Sequence, residues 1–160
     1  MFFNKVSEGL VSHDFIFYIE NTYIFQHKHV INDLPNHRII WDTILELGFE
    51  KNIGFCLDWG HVKAFSNDKL INWIDFAKYL KLKGMPIYMH IHDNDGIKDL
   101  HCSLKEGKEL NLDSLNKAKD LPFLETLKNV KDFFGNDSLI LEYKSNIAEE
   151  HYNWTKNNIA

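Results

Sequence analysis

The sequence is poor in cysteine, short of basic charge, and without any long apolar run, linker or low-complexity tract. Its 160 residues include two cysteines, Cys56 and Cys102, which form no CxxC pair and match no usual zinc spacing. A disulfide-stapled miniprotein is thereby excluded, and both thiols read as reduced residues of a cytosolic protein. Eighteen Lys+Arg stand against 23 Asp+Glu, a net charge of −5, and no basic run appears along the chain. A field of that sign repels phosphate backbones, so no nucleic-acid partner is expected. The longest apolar stretches, such as residues 15–19, are far too short for a membrane span. The first nine residues lack the basic and apolar regions of a signal peptide. The expected location is therefore the cytoplasm, away from membranes. What is present is 44% hydrophobic, 26% charged and 14% aromatic, which suits one globular domain over residues 1–160. Nine histidines are many for this length, and several sit beside carboxylates.

Four short apolar runs read as buried strands: residues 15–19, 53–57, 87–92 and 138–141. Between them apolar residues recur at helical spacing. The first set, Ile40, Ile44, Leu45 and Leu47, follows a candidate cap at Asn36 and stops at Gly48. The second, Leu70, Ile71, Ile74, Ala77 and Leu80, follows a cap at Ser66 or Asn67 and closes near Gly84. The third runs from Leu121 through Leu127 and Val130 to Phe133 or Phe134, and a last helix is expected from Ile147 to Trp154. Polar loops are expected over 26–36, after Asp58-Trp59-Gly60-His61, and from Asp93 to about Leu112. This β-α-β-α-β-α-β-α order predicts an α/β fold with a parallel sheet, right-handed crossovers, and a ligand site at the carboxyl ends of the strands.

Each strand ends in chemistry. Glu20 ends the first, Asp58 with His61 the second, His90 with His92 and Asp93 the third, and Glu142 the fourth. Any one of these could be a capping carboxylate or a core histidine. Charged groups are costly to bury unpaired, however, and four strands repeating the pattern point to a divalent-metal site for Mn, Co, Zn or Mg. His90 and His92 share one strand face, since side chains repeat every two residues. One of them suffices as a ligand; the other can bind substrate or orient a carboxylate. Asp99 and His101 can fold back toward the same site. The dipeptides His13-Asp14 and His92-Asp93 also suggest an HD-type phosphohydrolase, but that fold is helical and both dipeptides flank strand-like runs.

Taken in order, Ile19-Glu20-Asn21-Thr22, Leu57-Asp58-Trp59-Gly60-His61, the segment from His90 through Asp93-Asn94-Asp95-Gly96 to Asp99-Leu100-His101, Glu106-Gly107, and Leu139-Ile140-Leu141-Glu142 resemble the xylose isomerase-like barrel superfamily. That group holds sugar phosphate isomerases and epimerases, with apurinic endonucleases as a related branch. The resemblance covers about residues 14–143 and implies strands five to eight of an eight-stranded TIM barrel, a partial (β/α) barrel. It implies Glu20, Asp58, His90 and Glu142 as metal ligands, with His61 beside the metal as a further ligand or substrate contact. Asp99 and His101 resemble the extra metal ligands of the endonuclease branch. The implied substrate is a sugar or sugar phosphate contacted by His61, His92 and Asp93. Its proton would move through a metal-stabilised enediolate, with Glu20 and Glu142 as catalytic carboxylates. Trp59 stands where the family usually has a small residue, and Lys105 where it commonly has glycine; both reshape the pocket. The first four strands have no counterpart here, so the resemblance also implies a partner, either a second copy (a homodimer) or a separately encoded amino-terminal half. The alternatives are a truncated, inactive homologue and an apurinic-site endonuclease-like metal hydrolase.

Overall fold

Period-two alternation organises the sheet. In the computed structural model, which describes residues 15–21, 34–66, 68–92, 100–101, 123–142 and 148–159, four strands lie side by side. They are β1 (Phe17–Glu20), β2 (Ile53–Asp58), β3 (Ile87–Ile91) and β4 (Leu139–Leu141). All pairings are parallel and the spatial order follows the chain, β1-β2-β3-β4. The helices are α1 (Leu34–Glu46), α2 (Trp59–Phe65), α3 (Leu70–Leu82), α4 (Phe123–Phe134) and α5 (Ala148–Ile159), and a 3-10 turn over Asn136–Ser138 leads into β4. The expected α/β class and parallel sheet are present.

Odd-numbered residues of β1 to β4 form the outer face. Ile19, Ile53, Phe55, Leu57, Ile87, Met89, Ile91, Leu139 and Leu141 join one core with Trp41 and Ile44 of α1, Trp73, Phe76 and Leu80 of α3, and Leu127 and Val130 of α4. Burying each such side chain contributes about 1.5–3 kcal/mol, so this face stabilises the fold. A sheet that adds parallel strands in sequence through right-handed crossovers receives successive helices on the same side. Even-numbered residues (Tyr18, Glu20, Gly54, Cys56, Asp58, Tyr88, His90 and Ile140) occupy the inner face and are absent from that core.

Register across the inner face is staggered. Glu20 pairs with Cys56, two residues below Asp58; Asp58 pairs with His90; His90 pairs with Ile140, two residues below Glu142. Side chains that meet at one height therefore climb by four residues in crossing from β1 to β4. Strands tilted about a common axis produce such a climb.

Several local expectations are corrected. Residues 15–19 were expected as a strand buried on both faces. The strand is instead Phe17–Glu20, at the edge of the sheet among the described residues, with Phe15, Ile16 and Phe17 66%, 44% and 56% exposed. Helix α1 begins at Leu34, ahead of Asn36, and its first N–H donates to Asp68 Oδ2 at 3.0 Å. Helix α3 begins after Lys69 rather than at a Ser66 or Asn67 cap, because Ser66 Oγ accepts from Trp73 Nε1 and from the Asp68 N–H, each at 3.0 Å. The stretch after Asp58 is no loop but helix α2, which Asp58 caps. Gly48, Gly84 and Gly135 follow helix ends at φ of 75°, 92° and 89°, the left-handed backbone that glycine tolerates. Helix α5 continues past Trp154 to Ile159. Among the described residues, no helix is long and apolar enough to cross a membrane.

Candidate metal centre

Asp58 is the best anchored of the site residues. It ends β2 and caps α2, with Oδ1 accepting from the His61 N–H at 2.7 Å. Its own N–H donates to Asn21 Oδ1 at 2.6 Å, and Asn21 Nδ2 donates back to the Asp58 carbonyl at 3.0 Å. The buried Asn21 amide thus extends the β1–β2 ladder past its last backbone bond and fixes where Asp58 turns. His92 Nε2 lies 3.0 and 3.1 Å from the two carboxylate oxygens. Burial alone would push the Asp58 carboxyl up. The His92 hydrogen bond, the nearby His92 and His61 and the His61 N–H outweigh it and hold the group below its ordinary value.

His92 is 0% exposed. Ligand, substrate contact and carboxylate orientation were all open to it in the sequence; its ring sits against the Asp58 carboxylate. Gly60 makes room for it, since a Cβ there would clash with the imidazole ring. His61 Nδ1 lies 2.9 Å from Glu20 Oε1 and 3.0 Å from the Asn21 carbonyl. Both neighbours are acceptors, so the proton sits on Nδ1 and a neutral His61 carries its lone pair on Nε2.

His90 stands at the centre. Its Nδ1 lies 3.7 Å from Glu20 Oε2, 3.7 Å from Asp58 Oδ2 and 3.1 Å from Glu142 Oε2. The atom is shielded from solvent yet makes no hydrogen bond. Buried polar atoms are ordinarily paired, and this one faces carboxylates from three other strand ends. Ligand atoms about 2.1 Å from one ion, at about 90–110° to each other, are about 3.0–3.4 Å apart. The Glu142 separation falls within that spacing and the other two lie 0.3 Å beyond it, so these donors could hold a divalent cation. Asp58, His90 and Glu142 form one compact donor group, and Glu20, His90 and Cys56 another that shares His90.

The electrostatics agree. Burial, followed by the charges of Glu20, Asp58 and Glu142, pushes the Cys56 thiol up to about 12. The carboxylates that add to the effect of burial on this thiol also favour a cation beside them. His101, at φ 50°, stacks on His92 with centroids 4.3 Å apart and planes 7° apart, and its Nδ1 is 3.7 Å from Glu142 Oε2. His92, His101 and Glu142 thereby make a further donor group.

Of the residues singled out in the sequence, Glu20, Asp58, His61, His90, His92, His101 and Glu142 are brought together. Asp93 and Asp99 lie outside the described residues. Sequence reasoning missed Asn21 and Gly60. Asn21 carried no signal beyond following Glu20 at the strand end, and the need for glycine at 60 emerges only once His92 is folded against it.

No protein-family model matches the chain, and no solved structure matches it. An uncharacterized protein of Methanocaldococcus jannaschii is 26% identical over 132 residues, a match that takes in 75% of this chain and 43% of the relative. The chain therefore spans less than half the length of that relative.

Proposed function

We propose that the chain is the metal-bearing half of a xylose isomerase-like barrel and serves a metal-dependent sugar or sugar phosphate isomerase or epimerase. The observation that carries this reading is the buried His90 Nδ1, which makes no hydrogen bond and is faced at 3.1–3.7 Å by carboxylates from three other strand ends. The sequential strand order, the helices gathered on one side, and the four-residue climb support the barrel.

Glu20, Asp58, His90 and Glu142 would hold the ion, which when bound supplies a Lewis acid that polarises a carbonyl and its neighbouring hydroxyl. Asp58, clamped by Asn21, His61 and His92, is a fixed ligand with no freedom to move a proton. Glu20 and Glu142 come from the two outer strands and stay partly exposed, so each can take or return a proton at a substrate carbon. His61 Nδ1 lies 2.9 Å from Glu20 Oε1, and the other oxygen, Oε2, faces His90 Nδ1 at 3.7 Å.

The test is metal content after native purification, calorimetric titration with Mn2+, Co2+ and Zn2+, and turnover on a panel of aldoses, ketoses and their phosphates. About one ion per chain and interconversion of at least one sugar pair are expected. A chain that takes up no ion, and whose properties are unchanged in Glu142→Gln, overturns the reading. The donor group of His92, His101 and Glu142 favours a second reading, a metal hydrolase of the endonuclease type with a further ion. Two ions per chain with incision of an abasic duplex would establish that reading instead.

A further inference from the structure

A thiol lies beneath the carboxylates of the centre. Cys56 is 4% exposed on the inner face of β2, two residues below Asp58, and takes no part in the apolar core behind the sheet. Its register partner on β1 is Glu20, and Asp58, next above it on the same face, is the register partner of His90. Side chains repeat every two residues along a strand, so the thiol shares its face with both. Down the strand, the Tyr18 ring covers Gly54, where a Cβ would clash with it, and Tyr18 is tilted against Tyr88 with centroids 4.5 Å apart. Ionisable groups therefore meet the thiol from the top of the sheet and aromatic rings from beneath. The sulfur, a Glu20 oxygen and a His90 ring nitrogen all lie within 4.8 Å of one another.

We propose that Cys56 Sγ is a ligand of the centre together with His90 and Glu20, and that the resident ion is thiophilic, Zn2+ or Co2+ rather than Mn2+ or Mg2+. The proposal rests on the metal centre of the function proposed above and names the ion which that reading left open. Thiolate and imidazole ligands select zinc and its neighbours, whereas oxygen ligands suit magnesium and manganese. Sulfur at about 2.3 Å and nitrogen at about 2.0 Å from one ion are about 3.0–3.6 Å apart, so this group closes round an ion by a movement of about 1 Å. His90, whose Nδ1 is shielded and makes no hydrogen bond, also belongs to the group of Asp58 and Glu142. One ion beside it thus draws on donors from all four strands. As the Sγ–metal bond forms, the thiol proton leaves to solvent with no change of oxidation state, a loss that the dication's own charge drives. No spacing along the chain marks this ligand, because its companions arrive from β1 and β3.

Cobalt reports the ligand directly, since a coordinated thiolate adds an intense near-ultraviolet charge-transfer band that oxygen and nitrogen donors do not give. Titration of the full chain with Co2+ should raise this band to a plateau. In Cys102→Ser, Cys56 is the sole thiol of the chain, and the band should remain; in Cys56→Ser it should vanish. Cys56→Ser should also weaken Cd2+ binding about 10–100-fold and leave Mn2+ binding nearly as it was, which shows that the variant keeps its fold. A site of nitrogen and oxygen alone also ranks Zn2+ above Mn2+, so the change on substitution decides, not the ranking in the unaltered chain. Co2+ bound without the band in Cys102→Ser, or with it in Cys56→Ser, overturns the proposal and leaves the metal centre standing. The first of these comparisons decides even where Cys56→Ser fails to fold. A chain that binds neither Co2+ nor Mn2+ overturns the proposal and the metal centre together.

Discussion

The two faces of one sheet differ in almost every respect, although their residues alternate along the same strands. On the outer face, Phe55, Leu57, Met89 and Ile91 are 0% exposed and lie in the core shared with the helices. On the inner face, two positions away at most, stand Cys56, Asp58, Tyr88 and His90, with carboxylates closing in from neighbouring strand ends. The outer face carries the apolar core and the inner face the ionisable groups. A strand with a two-residue period can be optimised for both separately, which is why a cluster of three acids persists in a chain whose core is otherwise apolar.

The sharpest way to break this division is to cut the outer face. Phe55→Ala should cost about 3–5 kcal/mol of folding stability, read from denaturant midpoints, while ion affinity of the folded fraction stays as it was; a parallel loss of affinity would show the two faces to be coupled. Next in size, His90→Ala should weaken Mn2+ binding more than about 100-fold with little change in the denaturation midpoint of the ion-free chain, as calorimetry and urea unfolding together report. Gly60→Ala should act through His92, whose ring occupies the space the new methyl needs. An affinity loss of about 10–100-fold is expected, and a variant with unaltered affinity would remove His92 from the set that positions Asp58.

Smallest is the effect of acid. Asp58 titrates below the ordinary 3.8 in the folded chain, so it contributes stability above that pH and loses the contribution as the pH falls beneath it toward the folded value. Unfolding by urea in chelator between about pH 6 and pH 3 should show a drop at the acid end, and Asp58→Asn should flatten it.

Much of this division was legible in the sequence. The runs at 53–58 and 87–91 are apolar on one parity and chemical on the other, and Glu20, Asp58, His90 and Glu142 fall where the strands end. What escaped has identifiable causes. Helix α2 was read as loop because Trp59-Gly60-His61 is short and contains glycine, although Asp58 three residues before His61, and Trp59 spaced three from Val62, are a cap and an apolar stripe in outline. The start of α1 depends on Asp68, 34 residues away, and no local pattern encodes that. Ser66 looked like a helix cap, but its hydroxyl is engaged by Trp73. The exposure of Phe15 to Phe17 was misjudged because composition reveals that a run is apolar, not whether it lies at the centre or the edge of a sheet.

One consequence follows from the double duty of Asp58, whose Oδ1 holds the His61 amide proton while Oδ2 faces His90. Anything that pins this carboxylate also pins the first turn of α2. The His61 amide is thus a native reporter of the neighbouring centre, and its exchange with solvent deuterium should slow when a cation is taken up, without any label or chromophore.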